Sequence, residues 1–394
     1  MFTLLLAIIY ISFISLGLPD ALLGSAWPSM YPLFQVPVSY AGIVAMIIAG
    51  GTIISSLFSA RLISRLGTGK VTAISVLMTA AALIGFSYSN SFWLVCLWAI
   101  PYGLGAGSVD AALNNFVALH YKARHMSWLH CFWGVGASLG PYIMGYCLTR
   151  GSSWNSGFRF IFYIQIALTA VLFLSLPLWK KSLPSQKDEQ EKAKTLKLRD
   201  ISRVRGLKPA LVAFLCYCGL ETTTGLWGST YMVMEKGLSA DVAATWISFF
   251  YWGITAGRFL SGFITMKIGD RNMIRAGQIV ALLGIVVMLL PLPNFALCTG
   301  FVLIGLGCAP IFPSLLHATP ENFGKGISQS IMGLQMASAY IGSTFLPPLA
   351  GLIAERVSMK LYPFFLLAIV LMMIVMAECL NRIKRKQAKE IQAI

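Results

Sequence analysis

What most constrains this chain is the repetition of one kind of segment: twelve hydrophobic stretches, each long enough to cross a bilayer as a helix of about 20 residues. They run over 3–30, 39–60, 71–88, 93–119, 127–149, 159–179, 209–233, 242–266, 273–291, 295–317, 327–353 and 359–379. Only 11% of the residues are charged, against about a quarter in a soluble domain. A chain held in lipid must satisfy its backbone hydrogen bonds internally, which leaves helices or a closed barrel. Barrel strands would alternate in polarity over about 10 residues, and no such alternation is present. The expected fold class is therefore an all-α membrane protein with twelve transmembrane helices. The first stretch reads as a span and not a secretory signal, because it lacks a basic leader, runs long and reaches Trp27 and Pro28 without a small-residue cleavage site.

The net charge of +16 would suit nucleic acid if the basic residues formed one patch. They follow alternate loops instead. With the N-terminus inside, the cytoplasmic loops and tail hold 24 of the 30 Lys and Arg, the external loops hold Arg150, Arg159, Lys236, Arg356 and Lys360, and Arg258 lies within a helix. This positive-inside asymmetry predicts a multi-pass protein of the plasma (cell inner) membrane with both termini in the cytoplasm. The expected partners are the bilayer and a small polar solute, with no nucleic acid, and the chain is expected to be a monomer. The eight cysteines are scattered without CxxC pairs or zinc-like spacing. They read as small packing residues, and no metal or cofactor is expected.

The longest polar interruption, residues 180–208, carries ten Lys or Arg against four acids and has the composition of a cytoplasmic connector. The predicted organisation is a first six-helix bundle over 1–179, this linker, a second bundle over 209–380 and a basic cytoplasmic tail over 381–394. The halves look duplicated. GLG at 103–105 recurs at 305–307, and SARLISRLGTGK at 59–70 has its counterpart in SGFITMKIGDRN at 261–272, with Gly67 and Gly269 aligned. GLPDALLG at 17–24 and GLETTTG at 219–225 likewise put Asp20 and Glu221 at matching positions. Repeated halves are the architecture of transporters whose substrate site lies near the bilayer midplane, between the repeats.

Asp20, Asp110 and Glu221 fall deep inside spans, whereas Glu378 is close enough to a helix end to reach the interface. A charged side chain at a helix centre costs about 2.5–3.5 kcal/mol on insertion scales and tends to face a cavity or a partner. These three acids are the expected coupling residues. Asp110 and Asn114 are four apart, hence on one helix face, with Asn115 adjacent; His130 and Trp133 stand three apart in the fifth span. Carboxylate, amide and imidazole supply directed hydrogen bonds, and an aromatic ring covers the apolar face of a sugar. The expected substrate-binding set is Asn114, Asn115, His130, Trp133, Trp227 and Gln335. The competing role for such groups is hydrogen bonding between helices. Gly103 with Gly107, and Gly136 with Gly140, have the GxxxG spacing of close helix crossings, and Pro141, Pro310 and Pro313 are expected to bend spans. Arg258 is expected to snorkel or to pair with loop groups; with Arg65, Gly67 and Gly269 it makes up the structural and gating set.

ARLISRLGTGK and GFITMKIGDR resemble the signature that major facilitator proteins carry after their second and eighth helices, with Ser64 and Met266 where an acid is usual. Within that superfamily the chain is most similar to the fucose permease group of sugar-proton symporters. GLGAGSVDAALNN resembles the group's glycine-rich run ending in an acid and Asn, at Asp110 and Asn114. LHCFWGVGASLGP is similar to its Gln-x-Phe-Asn stretch, with His130 and Trp133 replacing Gln and Asn. YCGLETTTGLW is similar to its Tyr-x-Gly-x-Gln run, with Glu221 replacing Gln, and AGRFLSG also fits. The resemblance implies that Asp20 and Asp110 handle a proton and sugar hydroxyls, and that Glu221 adds a carboxylate which that pattern lacks.

The expected activity is thus secondary transport by alternating access, namely proton-coupled uptake of a monosaccharide or similar polyol. Sodium is the other coupling ion that carboxylates and Asn oxygens can hold. The alternative is proton-coupled drug or metabolite efflux, suggested by GVGASLGPYIMG at 134–145, which resembles an antiporter motif with Met144 where glycine is expected. A non-transporting sensor or a lipid flippase on the same scaffold is a third reading. No nucleophile elbow, phosphate loop or metal-ligand spacing points to an enzyme.

Overall fold

The computed structural model describes residues 2–120, 123–181 and 204–392, and among these every regular element is a helix. Twelve spans form two pseudo-symmetric six-helix bundles. The first span is Phe2–Asp20 continued by Leu22–Phe34; the second is Tyr40–Leu66, the third Thr68–Tyr88 and the fourth Phe92–His120. The fifth is Ala123–Thr149 and the sixth Trp154–Leu174, followed by the short helix Leu176–Lys181. In the second bundle, Leu207–Lys236 is the seventh span, and Ala240–Leu289 contains the eighth and ninth. The tenth is Phe295–Cys308 with Ile311–His317, the eleventh Lys325–Arg356 and the twelfth Tyr362–Gln392. Most of the expected linker lies outside the described residues.

Two glycines make sharp turns at the matching positions that the duplication predicts. Gly67, between the second and third spans, has φ 80°, and Gly269, between the eighth and ninth, has φ 77°. Only glycine takes such a backbone without strain. Helix breaks have equally local causes. Pro19 lacks a backbone donor, and the first span breaks just after it, with Ala21 at φ −97° and ψ 0°. Ala309 and Pro310 separate the two pieces of the tenth span.

By length and hydropathy alone, nine helices among the described residues qualify as membrane spans. The fifth and eighth are not among them, and these two pack on each other across the two halves, as the second packs on the eleventh. A face covered by protein is spared contact with lipid, so it tolerates polar residues such as Thr52, Ser56, Thr255 and Arg258.

The helix crossings rest on the predicted glycines. Gly103 and Gly107 meet the backbone of Ile48 and Thr52, and Gly136 and Gly140 meet that of Ile14 and Leu18. The crossings repeat in the second half. Gly305 lies on Phe250 as Gly103 lies on Ile48, and Gly307 on Gly277 and Ala281 as Gly105 lies on Ser75 and Thr79, all at an offset of 202. The first and seventh spans do not keep that offset. Gly140 touches Leu18 where Gly342 touches Leu215, and Gly136 touches Ile14 where Ser338 bonds the carbonyl of Leu211, which shifts this pair of spans to an offset of 197. The structural counterpart of Asp20 is therefore Tyr217, and that of Glu221 is Gly24. This corrects the sequence alignment of the two acids, because a four-letter likeness carries no information on register.

The halves touch at the end of the bundle away from the termini. Gly24 abuts the Gly225 carbonyl, Gly42 abuts Pro348, and Thr149 donates to Asp241 Oδ2 at 3.0 Å. A side chain at position 24 would collide with backbone and not with a yielding side chain. Gly24→Val is therefore expected to hold this end apart. A cysteine placed at Ala45 of the purified protein should then react with a water-soluble maleimide at least fivefold faster than the same cysteine beside Gly24, and unchanged labelling would refute the closure.

Candidate functional site

Directly below this seal lies a cavity of about 250 Å³, lined by residues of both bundles. Asp20, at the helix break of the first span, is on its wall and remains exposed to it although the residue lies in the middle of a span. The break frees its carboxylate to take two donors from neighbouring spans. The Tyr102 hydroxyl donates to Oδ1 at 2.9 Å and the Trp133 indole N–H donates to Oδ2 at 2.7 Å. Both come from the first half.

The second half contributes Glu221, Thr222, Tyr251 and Ser343 to the same cavity. Glu221 accepts a short hydrogen bond from Tyr217, one helical turn back, and pairs with Arg258 Nη2 at 3.6 Å. The two charged side chains are each only 15% exposed, so each depends on the other for compensation. The Arg258 guanidinium also lies 5.1 Å from the centre of the Trp133 ring, within cation–π range. A continuous chain of contacts thus runs from Tyr102 through Asp20, Trp133 and Arg258 to Glu221 and Tyr217, and it crosses between the halves at the Trp133–Arg258 stack. This overturns the expectation that Arg258 pairs with loop groups. The partner is an intramembrane acid 37 positions earlier in the sequence, which no local pattern reveals.

The other expected residues sort into two groups. Asp110 accepts from Asn114 Nδ2 at 2.9 Å and is close enough to Asp20 and to Tyr340 of the eleventh span to act on both electrostatically. His130 packs edge-on against Phe13 at 5.9 Å, near the Arg258 charge. These three residues flank the cavity without lining it. Trp227 is buried, with its indole N–H donated to the Pro347 carbonyl at 2.7 Å, and Gln335 is buried and accepts from Thr319 at 2.9 Å. Both serve packing between spans and stand apart from the cavity wall. The side chain of Asn115 lies outside the described residues. Arg65 is exposed at the end of the second span beside Gly67. Glu378 forms a two-oxygen pair with Arg275 at 2.6 and 2.8 Å, tying the twelfth span to the ninth. Tyr102, Tyr217 and Tyr251 were not expected, since tyrosines in apolar spans look like ordinary packing residues until a carboxylate is seen beside them. No cluster of metal-ligating side chains occurs among the described residues.

The family model described as Major Facilitator Superfamily matches residues 9–240 and 209–393. The chain is 25% identical over 390 residues to Bypass of stop codon protein 6 of Saccharomyces cerevisiae, covering 90% of this chain and 77% of that one. It is 21% identical over 348 residues to the glucose/mannose transporter GlcP of Bacillus subtilis, covering 87% and 86%. The solved structure of a bacterial homolog of the human lysosomal transporter Spinster superposes with a TM-score of 0.77 at 11% identity over 98% of both chains. At that identity the likeness is one of fold.

Proposed function

Because the chain belongs to the Major Facilitator Superfamily, we propose that this multi-pass membrane transporter takes up a monosaccharide or similar small polyol together with protons, by alternating access. One observation carries the reading: a carboxylate in mid-membrane, Asp20, stays open to a cavity walled by both halves and is wired by hydrogen bonds and a cation–π stack to Glu221 on the other side. Acids placed so can gain or lose protons only through that cavity, and a solute bound between the halves feels both. Hydroxyl groups suit the acceptors and donors on the wall, which are the two carboxylates, Thr222, Tyr251 and Ser343. The sugar transporter among the relatives supports the same substrate class.

The distribution of Lys and Arg supports cytoplasmic termini in the plasma membrane. In that orientation the sealed end is the external one, and the cavity belongs to an inward-facing state. Coupling requires that proton and solute each favour the same conformations, since a ligand that binds two states equally shifts nothing. We place the proton on Asp20, with Asp110 as its electrostatic neighbour, and hold Glu221 as the partner of Arg258.

Uptake by proteoliposomes across a panel of sugars, with proton and sodium gradients imposed separately, tests the proposal. Proton-driven accumulation of at least one hexose or polyol is the expected result. Accumulation driven only by sodium would reassign the ion, and an unresponsive panel would reject the substrate class. Tyr102→Phe removes one donor from Asp20. A hydrogen bond to a charged group contributes about 1.5–3 kcal/mol, so the variant is expected to take up substrate about ten- to a hundredfold less efficiently, read as kcat/KM.

A further inference from the structure

The wall of the cavity is unbalanced in charge. The first and seventh spans cross where Gly24 rests on the Gly225 carbonyl, and Asp20 and Glu221 stand one helical turn before these two glycines, on the wall of the space beneath the crossing. Among the described residues, no lysine, arginine or histidine lines that space. Arg258 compensates Glu221 from outside the wall, at 3.6 Å. Asp20 has only the neutral donors Tyr102 and Trp133, and the nearby Asp110 adds a second acid on its side. Around the cavity, three carboxylates therefore share one guanidinium.

A second group on the wall lacks a partner. Tyr251 lines the same space and is more than nine-tenths buried, at 8% exposed. Its hydroxyl sits where a side chain at Gly225 would begin, close enough to Glu221 and Asp20 to feel both charges. It bonds to none of the described residues. A hydroxyl so placed is costly unless something in the cavity meets it. A carboxylate held out of bulk water likewise needs a positive charge beside it. A neutral sugar brings none, so the proton on Asp20 has to supply it. An ammonium brings the charge with the solute, together with three donors for the Asp20 oxygens and the Tyr251 hydroxyl. Resting on the sugar-transporter reading above, we infer that the solute is an amino sugar or amino polyol, bound with its ammonium against Asp20 and Tyr251 and its hydroxyls toward Thr222, Ser343 and Glu221. The ammonium then stands in for the proton: a charged solute, and a neutral solute with its proton, bring the same charge to the site.

The test measures binding to the purified full-length protein by titration calorimetry, at a pH where the amines are charged. The probes are glucose with glucosamine, sorbitol with 1-amino-1-deoxysorbitol, N-acetylglucosamine as the uncharged nitrogen control and methylammonium as the cation without hydroxyls. Each amine is expected to bind about ten- to a hundredfold tighter than its neutral parent, the fold-change of one hydrogen bond to a charged group. N-acetylglucosamine is expected to fall back to the level of glucose, and methylammonium to bind far more weakly than either amine. Asp20→Asn is expected to bring the glucosamine-to-glucose ratio to about one. Tyr251→Phe, which removes only the hydroxyl, is expected to lower that ratio about three- to tenfold, and it keeps the idea testable if Asp20→Asn does not fold. Equal binding of amines and neutral parents, or a ratio untouched by both variants, overturns the inference, while binding of glucose or sorbitol leaves the sugar reading standing. No binding by any hydroxylated probe overturns both, and methylammonium binding as tightly as glucosamine overturns the role of the hydroxyls.

Discussion

Asp20→Asn is expected to abolish proton-driven accumulation, bringing the gradient-dependent uptake rate down by about a hundredfold or more, while counterflow exchange of solute persists. Asn keeps the shape: its oxygen can accept from the Trp133 indole while its amide nitrogen donates to the Tyr102 hydroxyl, where the two donors now meet the carboxylate at 2.7 and 2.9 Å. It cannot carry a titrating proton, so the variant separates the two roles of the side chain. Loss of exchange together with accumulation would make Asp20 a solute ligand only, and full accumulation by Asp20→Asn would remove it from coupling altogether.

Arg258→Ala is expected to be the most damaging single change to stability. Removing one member of a buried pair leaves an uncompensated charge and costs about 3–5 kcal/mol. Here Glu221 would be left in a span with only Tyr217 as donor, and Trp133 would lose the cation stacked on its face. The double variant Arg258→Ala with Glu221→Gln removes both charges, so it should recover most of the thermal stability of the purified protein without recovering transport. Melting temperatures of the parent, each single variant and the double variant form the cycle. Equal destabilisation in the Arg258→Ala single and the double variant would mean that the pair contributes nothing as a pair.

The sequence revealed the fold far better than the site. Spans are written in long apolar runs, and the glycines at 67, 103, 136, 140 and 269 announce turns and crossings by local spacing alone. Boundaries were less legible where polarity and helicity part company. The segment NRIKRKQAKE at 381–390 reads as a solvated tail, yet it continues the twelfth helix to Gln392, because Arg, Lys, Gln and Ala are strong helix formers. In the cavity, Asp20, Trp133 and Glu221 could be singled out because their chemistry is rare in lipid. Arg258 could not be placed, since its partners lie on the seventh span of its own half and the fifth span of the other, and only tertiary packing brings them together. Trp227 failed in the opposite sense. Its ring has sugar-binding chemistry, but its indole is consumed by the Pro347 carbonyl, and sequence does not say which way a helical residue faces when every side of the helix is apolar.

The five-residue slip between the first and seventh spans has a consequence for any attempt to rebuild the protein from one repeat. At the offsets that the helix crossings define, Arg258 corresponds to Ser56 and Glu221 to Gly24. A chimera of two first halves would inherit the glycine joints and fold as mechanical twins, yet it would have serine at both positions equivalent to Arg258 and two copies of Asp20. The halves are alike as machinery and unlike as chemistry: one brings a titratable acid with neutral donors, the other an acid already married to a cation. That asymmetry, and not the duplication, gives the chamber its polarity.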